Sequence, residues 1–342
     1  HITHGSEGVG VHASQEYGSA FFSNLITCGS ISACPVCAPK ISERRREEIA
    51  QAVSWAYANN LQPVMVTLTF PHRAWHKLGV LLKQQAHALA MLRKGKQWDK
   101  FKKRVCFRGL IRALECTHGE NGWHPHTHEL WFVAKDVQGP EMQVEVLKKW
   151  MSACARAGLL DLSDVRQVAA FTAHAVDVKD NCNASDYLAK QDDSKHWGVD
   201  RELSSPSTKD GRKKGMHPFG LLALASAGDV RAARLYLAYI LAFKGKRLLF
   251  WSPGLKAQVG VDDLTDETLA EQQRDKADLL GRLTDDDWRT VREAGKRSQI
   301  LDAAENGGWI AVEALLEQLT LDEIDRLQAA IDALSVSPAP AP

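Results

Sequence analysis

Apolar and polar positions change their period several times along the 342-residue chain, and each change predicts an element. Residues 1–41 hold no sustained period and close on "CGSISACPVC", which predicts a loop-like segment. From Ile41 to Asn60 apolar positions recur at helical spacing, so an amphipathic helix is expected, entered at Ser42. "PVMVTLTF", Pro63 to Phe70, is β-branched and reads as a strand, and a helix from about Ala74 to Lys94 follows it. "FRGLIRALECTHGENGWHPHTHELWFV" reads as two strands around Asn121-Gly122, a strong hairpin signal. A helix is expected over Pro140 to Ala157, and a further strand in the weakly alternating "AAFTAHAVDV". "ASDYLAKQ" starts a helix after Ser185, two helices flank Gly228-Asp229, and "RLLFW" is a short strand. Beyond Val261 the pattern is helical. "TDDDWRTVREAG" has a capping Thr284, an acidic first turn and a terminal Gly295, and two more helices follow, broken at Gly307-Gly308.

This succession of strands and helices predicts an α+β protein. The expected organisation is an N-terminal segment over 1–41, a mixed body over 42–261, an all-helical region over 262–335 and a disordered Pro/Ala tail over 336–342. Hydrophobic residues make up 44% of the chain, which supplies a core and excludes wholesale disorder. No apolar run is long enough to cross a bilayer and no charged-then-apolar leader is present, so a soluble, cytoplasmic protein without a membrane partner is expected. The chain starts at His1 rather than Met, so a trimmed N-terminus is expected.

The net charge of +1 conceals an asymmetry. Residues 262–342 hold 8 Lys+Arg against 19 Asp+Glu, a net of −11, whereas residues 1–261 hold 35 against 23, a net of +12. A basic body predicts a polyanionic partner. The basic residues also cluster. Lys94, Lys96, Lys100, Lys102, Lys103 and Arg104 interleave with Trp98 and Phe101, a pattern that suits a single nucleic-acid strand and equally suits a solvated helix end. Arg212, Lys213 and Lys214 form a second group in a loop expected to touch the DNA backbone.

Three histidines stand at alternate positions in "WHPHTHELWF". With Asn121-Gly122 as a two-residue loop, Glu120 pairs with Trp123, Thr117 with His126 and Glu115 with His128. Opposed residues share a face of the sheet, and so do alternate residues of one strand. Glu115, His126 and His128 therefore converge as two imidazoles and a carboxylate, a facial metal site with open positions. His124 falls on the same side, at the turn before Pro125. The bland alternative is a histidine-rich edge strand without a ligand.

Of seven cysteines, Cys28, Cys34 and Cys37 have ligand-like spacing, which predicts a structural zinc. His4, His12, Cys106 and Cys116 are the candidates for a fourth ligand. "SDYLAKQ" places Tyr187 and Lys190 three residues apart on one helix face. A tyrosine oxygen can attack a phosphodiester, leaving a phosphotyrosine link and a free 3′ hydroxyl. An ordinary packed aromatic is the alternative.

"VTLTF", "HPHTHELWF" and "YLAK", in that order, resemble the HUH endonucleases. "CPVC" before them and "FKGKRLLFWSPGLK" after them resemble the rolling-circle replication initiators of small bacterial plasmids, over roughly residues 20–260. The resemblance implies a palm-like central antiparallel sheet with flanking helices, similar to an RNA-recognition fold. It implies Tyr187 as nucleophile, His126 and His128 as ligands of magnesium or manganese with Glu115 as the third, and Lys190 nearby. It implies single-stranded and hairpin origin DNA and a host helicase as partners. A second tyrosine or a water-activating Glu of some relatives is replaced here by Asn183, with Gln191 on the other side, so Asp186, Asp192 and Asp193 are the acidic candidates for termination. A transposase of the same superfamily would share this chemistry, and a non-catalytic zinc-containing DNA-binding regulator is the rival from another class.

Overall fold

A computed structural model describes residues 8–14, 19–26, 28–35, 37–180, 215–271 and 278–335. Its strands are β1 (Val9–Ser14), β2 (Ser19–Ser23), β3 (Leu61–Leu68), β4 (Gly109–Gly119), β5 (Gly122–Ala134), β6 (Val176–Lys179), β7 (Leu249–Trp251) and β8 (Asp278–Leu283). Its helices are α1 (Cys37–Ala58), α2 (Leu78–Leu92), α3 (Lys96–Arg104), α4 (Gly139–Arg156), α5 (Val165–His174) and α6 (Pro218–Ser226), then α7 (Val230–Phe243), α8 (Leu255–Val259), α9 (Asp266–Glu271), α10 (Asp285–Glu293) and α11 (Arg297–Ser335). The chain divides into two units, residues 30–266 and residues 1–29 with 267–342.

The larger unit is built on a five-stranded sheet of order β6-β3-β5-β4-β7, antiparallel throughout. Both faces are covered. Val64, Val66, Leu68, Leu110, Trp131 and Val133 join one core with residues of α2, α3, α4 and α7. Met65, Ile111, Leu130 and Phe132 face the other way, onto Ile49, Ala52, Val53 and Ala56 of α1 and onto α8. Double coverage explains why β3 and the second half of β5 read as continuous apolar runs rather than as alternation.

The β4–β5 hairpin forms where expected, with a different turn. Gly119 pairs with Gly122, so Glu120 and Asn121 occupy the tip. Neither has positive φ, whereas Gly122 does, at 80°. This is the pattern of a type I turn followed by a left-handed glycine, not of Asn-Gly at the centre of the turn. The ladder is consequently displaced by two residues, and Glu115 faces His126 rather than His128. Because the side-chain period is two, a shift of two leaves every face assignment intact.

Other expectations are corrected. Residues 169–174 of "AAFTAHAVDV" are helical, as part of α5, and only Val176–Lys179 is a strand. The Asp164 carboxylate caps α5 by accepting from the Gln167 N–H at 3.0 Å, a start signal that outweighs weak alternation. α1 begins at Cys37, ahead of Ser42. The N-terminal segment is not merely a loop, since β1 and β2 pair within it. The region after Asp262 is not all helical, because β8 pairs with β1 and completes the sheet β2-β1-β8 of the smaller unit. Thr284 caps α10 in a reciprocal capping box with Asp287, and α11 breaks at Gly308, both as predicted.

Gly122 has two reasons to be glycine: its φ of 80°, and a Cβ that would come within 2.8 Å of Ala74 Cα. Gly122→Ala is therefore expected to destabilise the larger unit by about 1–3 kcal/mol. Denaturant unfolding of both proteins measures it, and an unchanged midpoint would contradict the turn geometry.

Candidate functional site

The antiparallel ladder sets a row of side chains across one face of the sheet. Thr67 lies opposite both His128 and Asp177, and one step along Glu115 lies opposite His126. Glu115 Oε2 is 3.4 Å from His126 Nε2 and 3.5 Å from His128 Nε2. The ligand atoms of Glu115, His126 and His128 all fall within 4.8 Å of one another, so the three form a group that could hold a metal ion.

The ring orientations are determined from behind. His126 Nδ1 lies 3.1 Å from the His124 carbonyl oxygen. A carbonyl only accepts, so Nδ1 donates and Nε2 turns a lone pair towards Glu115. His128 Nδ1 meets Thr67 Oγ1 at 3.0 Å, which leaves its Nε2 on the same side. A carboxylate oxygen and the lone pair of His126 Nε2 facing one another repel unless a positive charge lies between them, a proton or a metal cation. The donor set thus fits a divalent ion. Burial drives the Glu115 carboxyl up, but when that positive charge is carried by protons on the two rings, hydrogen bonds from His126 and His128 and their charge outweigh it and hold the carboxyl well below the usual carboxylate range.

More histidines surround this group. His72, His124 and His126 stack in a column at centroid spacings of 4.8 Å, and His128 stands at 5.0 Å and 90° to His126. His124 is not at the turn as expected. It sits within β5 opposite Thr117, its Nε2 2.6 Å from Thr69 Oγ1. Burial, then the neighbouring His126, His72 and His128, push His124 down to about 3, and burial also lowers His72. His217, at the start of α6, accepts from the Phe219 N–H at 3.2 Å. Burial pushes it down to about 4, against the opposing pull of Glu115. These rings stay neutral near pH 7 and add no charge that would compete with a cation.

Thr67, Thr69, His72 and His217 were not singled out from sequence. The two threonines alternate in "VTLTF", so the parity of β3 was a usable signal. His217 carried none, because its approach depends on the return of a distant segment. Met216 pairs with His118 in both directions, N–H to carbonyl at 2.8 and 2.9 Å, which ties residues 215–217 to the end of β4 beside the site. Tyr187, Lys190, Arg212, Lys213 and Lys214, with His4, Asn183, Asp186, Gln191, Asp192 and Asp193, lie outside the described residues.

Cys34 and Cys37 lie in the larger unit, where the Cys37 N–H meets Cys34 Sγ at 3.4 Å, and Cys28 belongs to the smaller one. Three of the four candidates for a fourth ligand, His12, Cys106 and Cys116, lie among the described residues. Of the candidates, His12 Nε2 meets Ser23 Oγ at 2.7 Å, and Cys116 is buried in the sheet, its thiol pushed up by burial. Cys106 is exposed.

The basic stretch forms α3 and departs from expectation in one respect. Trp98 and Phe101 are buried in the core, stacked on each other and edge-on to Trp131, so these rings are not a surface for bases. Lys94, Lys96, Lys100, Lys103 and Arg104 remain exposed around them, while Lys102 is half-buried and pairs with Asp99. Arg104 pairs with Glu145.

Over residues 21–279, which carry the whole five-stranded sheet, the Glu115, His126 and His128 group and the three cysteines, the chain matches the family described as Replication protein, and it belongs to that family. It is similar to "Protein rep" of Streptomyces lividans, with 26% identity over 361 aligned residues that cover 84% of this chain and 77% of that protein. A shorter match, 33% identical over 154 residues, covers 36% of this chain and 34% of the "Neomycin resistance protein" of Streptomyces cyanogenus. No solved structure matches. Among the described residues no helix is long and apolar enough to cross a membrane.

Two outcomes are expected. An unfolded chain protonates His217 as pH falls through about 6.5, whereas the folded chain keeps it neutral down to about 4. The unfolded state then binds more protons, so stability falls as pH drops across that window. His217→Asn, which keeps a capping acceptor, should flatten this fall in urea titrations between pH 7 and 4; an unaltered slope would contradict the assignment. The two expected cation sites should also separate. Cys34→Ser with Cys37→Ser should lose bound zinc, and His126→Ala with His128→Ala should retain it, as read by elemental analysis. Loss of zinc from the histidine variant would show that the ligands were divided wrongly.

Proposed function

We propose that this replication protein is a plasmid rolling-circle initiator that nicks and rejoins single-stranded origin DNA through a 5′-phosphotyrosine intermediate. The observation that carries the reading is the convergence of Glu115, His126 and His128 on one rigid face, in a chain of the replication-protein family. Those three residues would hold a divalent cation, magnesium or manganese. Bound there, such an ion supplies a Lewis acid that polarises a scissile phosphate.

The remaining work falls to this chain's own groups. The Tyr187 oxygen attacks phosphorus, the bond from phosphorus to the 3′ oxygen breaks, and that oxygen leaves as a hydroxyl after taking a proton. The new phosphotyrosine ester conserves the bond, so a later 3′ hydroxyl reverses the step without ATP. Lys190, three residues on, offsets charge at the phosphate. Thr67 and the His124 carbonyl hold the two imidazoles in place before substrate arrives, which removes a reorganisation cost at the moment of reaction. Support for Tyr187 comes from position in the chain: its segment runs between β6, which carries Asp177 opposite Thr67, and Met216, which pairs with β4 three residues from Glu115. Exposed lysines of α3 and the Arg212–Lys214 group would hold the DNA backbone. A structural zinc at Cys28, Cys34 and Cys37 and a host helicase as partner complete the reading.

Tyr187→Phe should bind a labelled single-stranded origin oligonucleotide as the parent does yet form no covalent adduct on a denaturing gel. Chelation by EDTA should abolish the adduct and manganese should restore it. An adduct that persists in the variant would overturn the nucleophile, and cleavage without any adduct would mean that water, not tyrosine, attacks.

A further inference from the structure

Residues that alternate with the histidines point to the other face of the sheet, and there they border a second cavity. Thr127 stands between His126 and His128, Leu114 lies opposite it, and Arg112 lies opposite Glu129. Thr127, Leu114 and Arg112, with the inner face of α2 and the turn after α7, line an open cavity of about 450 Å³. Its polar lining is Gln85, Arg93, Arg112, Thr127, Lys246 and Arg247.

Three observations indicate that this lining expects a ligand. Thr127 is 0% and Gln85 2% exposed, yet Thr127 Oγ1 and Gln85 Nε2 have no hydrogen-bond partner; nor have Arg93 Nε and Glu129 Oε1 beside them. Three of the six such buried atoms among the described residues, those of Gln85, Arg93 and Thr127, thus belong to the lining of one cavity. Native proteins leave few buried polar groups unpaired, so a cluster of them calls for a missing partner. Second, the Arg112 guanidinium is half-buried and makes no hydrogen bond or ion pair among the described residues; it lies 4.8 Å over the Phe250 ring. Glu129 opposite it offsets part of this charge, but burial and the neighbouring Arg93 oppose it, so the guanidinium is under-compensated. Third, the charge is unbalanced. Glu129 accepts from Arg93 and from the Trp131 indole at 2.7 Å and is the carboxylate that Arg112 feels across the ladder, so one carboxylate faces Arg93 and Arg112, while Lys246 and Arg247 add two further cations to the lining.

The rest of the wall is apolar: Leu82, Leu89, Leu114 and the Phe250 ring. An apolar sleeve, a few unpaired donors and acceptors at its base and cations at its mouth match a flat heterocycle bearing a phosphate, and the volume lies in the range of small-ligand pockets. We propose that this cavity binds one nucleotide, with the base between α2 and the sheet, its polar edge at Gln85 and Thr127, and its phosphate at Arg112, Lys246 and Arg247. The nucleotide is either free or one unit of a bound strand, and the chemistry of recognition is the same. The proposal is independent of the nicking reaction, since it involves none of Glu115, His126 or His128.

Titration calorimetry of the full chain in EDTA tests it, with the four deoxynucleoside monophosphates, the corresponding nucleosides and inorganic phosphate as probes. At least one monophosphate should bind with a stoichiometry of one, and both its nucleoside and phosphate alone should bind at least about tenfold more weakly. Lys246→Ala with Arg247→Ala, on an exposed turn where folding is not at stake, should weaken it about tenfold, and so should Arg112→Gln. His126→Ala with His128→Ala should leave it unchanged. Competition by a short oligodeoxynucleotide would identify the ligand as part of a strand, and binding of monophosphates alone would identify it as free nucleotide; either supports the site. No binding at millimolar nucleotide, binding indifferent to the cavity variants, or phosphate alone binding as well as nucleotide would overturn it.

Discussion

The period-two alternation of β5, held in register by β3 on one side and β4 on the other, is the constraint on which the rest of the larger unit depends. His124, His126 and His128 occupy one face; Thr127, Glu129 and Trp131 occupy the other. A slip of one residue against either neighbour would exchange them, carrying three imidazoles to the Trp131 side of the sheet and Thr127 to the place of a histidine. The cost of burying those polar groups without partners is what makes the register unique. The slip of two between the expected and observed hairpin costs the site nothing, because Glu115 still reaches both His126 and His128.

Each face then solves an electrostatic problem of its own. On the histidine face, polar groups at the sheet's end leave two imidazoles and a carboxylate converging, and neutral rings are packed around them. Thr69 anchors that end twice, through its hydroxyl to His124 and through its carbonyl, which accepts from the Trp150 indole at 2.7 Å. On the opposite face Glu129 is wholly buried and is held by Arg93 and Trp131. An arrangement of that kind is retained only while intact: removing one partner of a buried pair costs about 3–5 kcal/mol, because the other charge remains desolvated.

Local signals were legible where a few consecutive residues carried the decision. The Thr284 cap, the stop at Gly295, the break at Gly308 and the convergence of Glu115, His126 and His128 all follow from spacing and residue type, and the structure agrees. The aromatic pair in α3 misled, because Trp98 and Phe101 among lysines look like a stacking surface, whereas one side of the helix is simply its core face. α5 misled because a single capping aspartate outweighed a weak alternation.

Sequence by itself determined the α+β character, the β4–β5 hairpin, the convergence of Glu115, His126 and His128 and the charge contrast between body and tail, since each rests on short-range spacing or on composition. Only tertiary structure decided the pairing of β1 with β8, the approach of His217 and Thr67 to the histidines, and the gathering of Gln85, Arg112 and Lys246 behind them. Those residues are separated by tens to hundreds of positions. Their juxtaposition is set by which apolar faces bury against one another, a property of the whole chain that no window of the sequence contains.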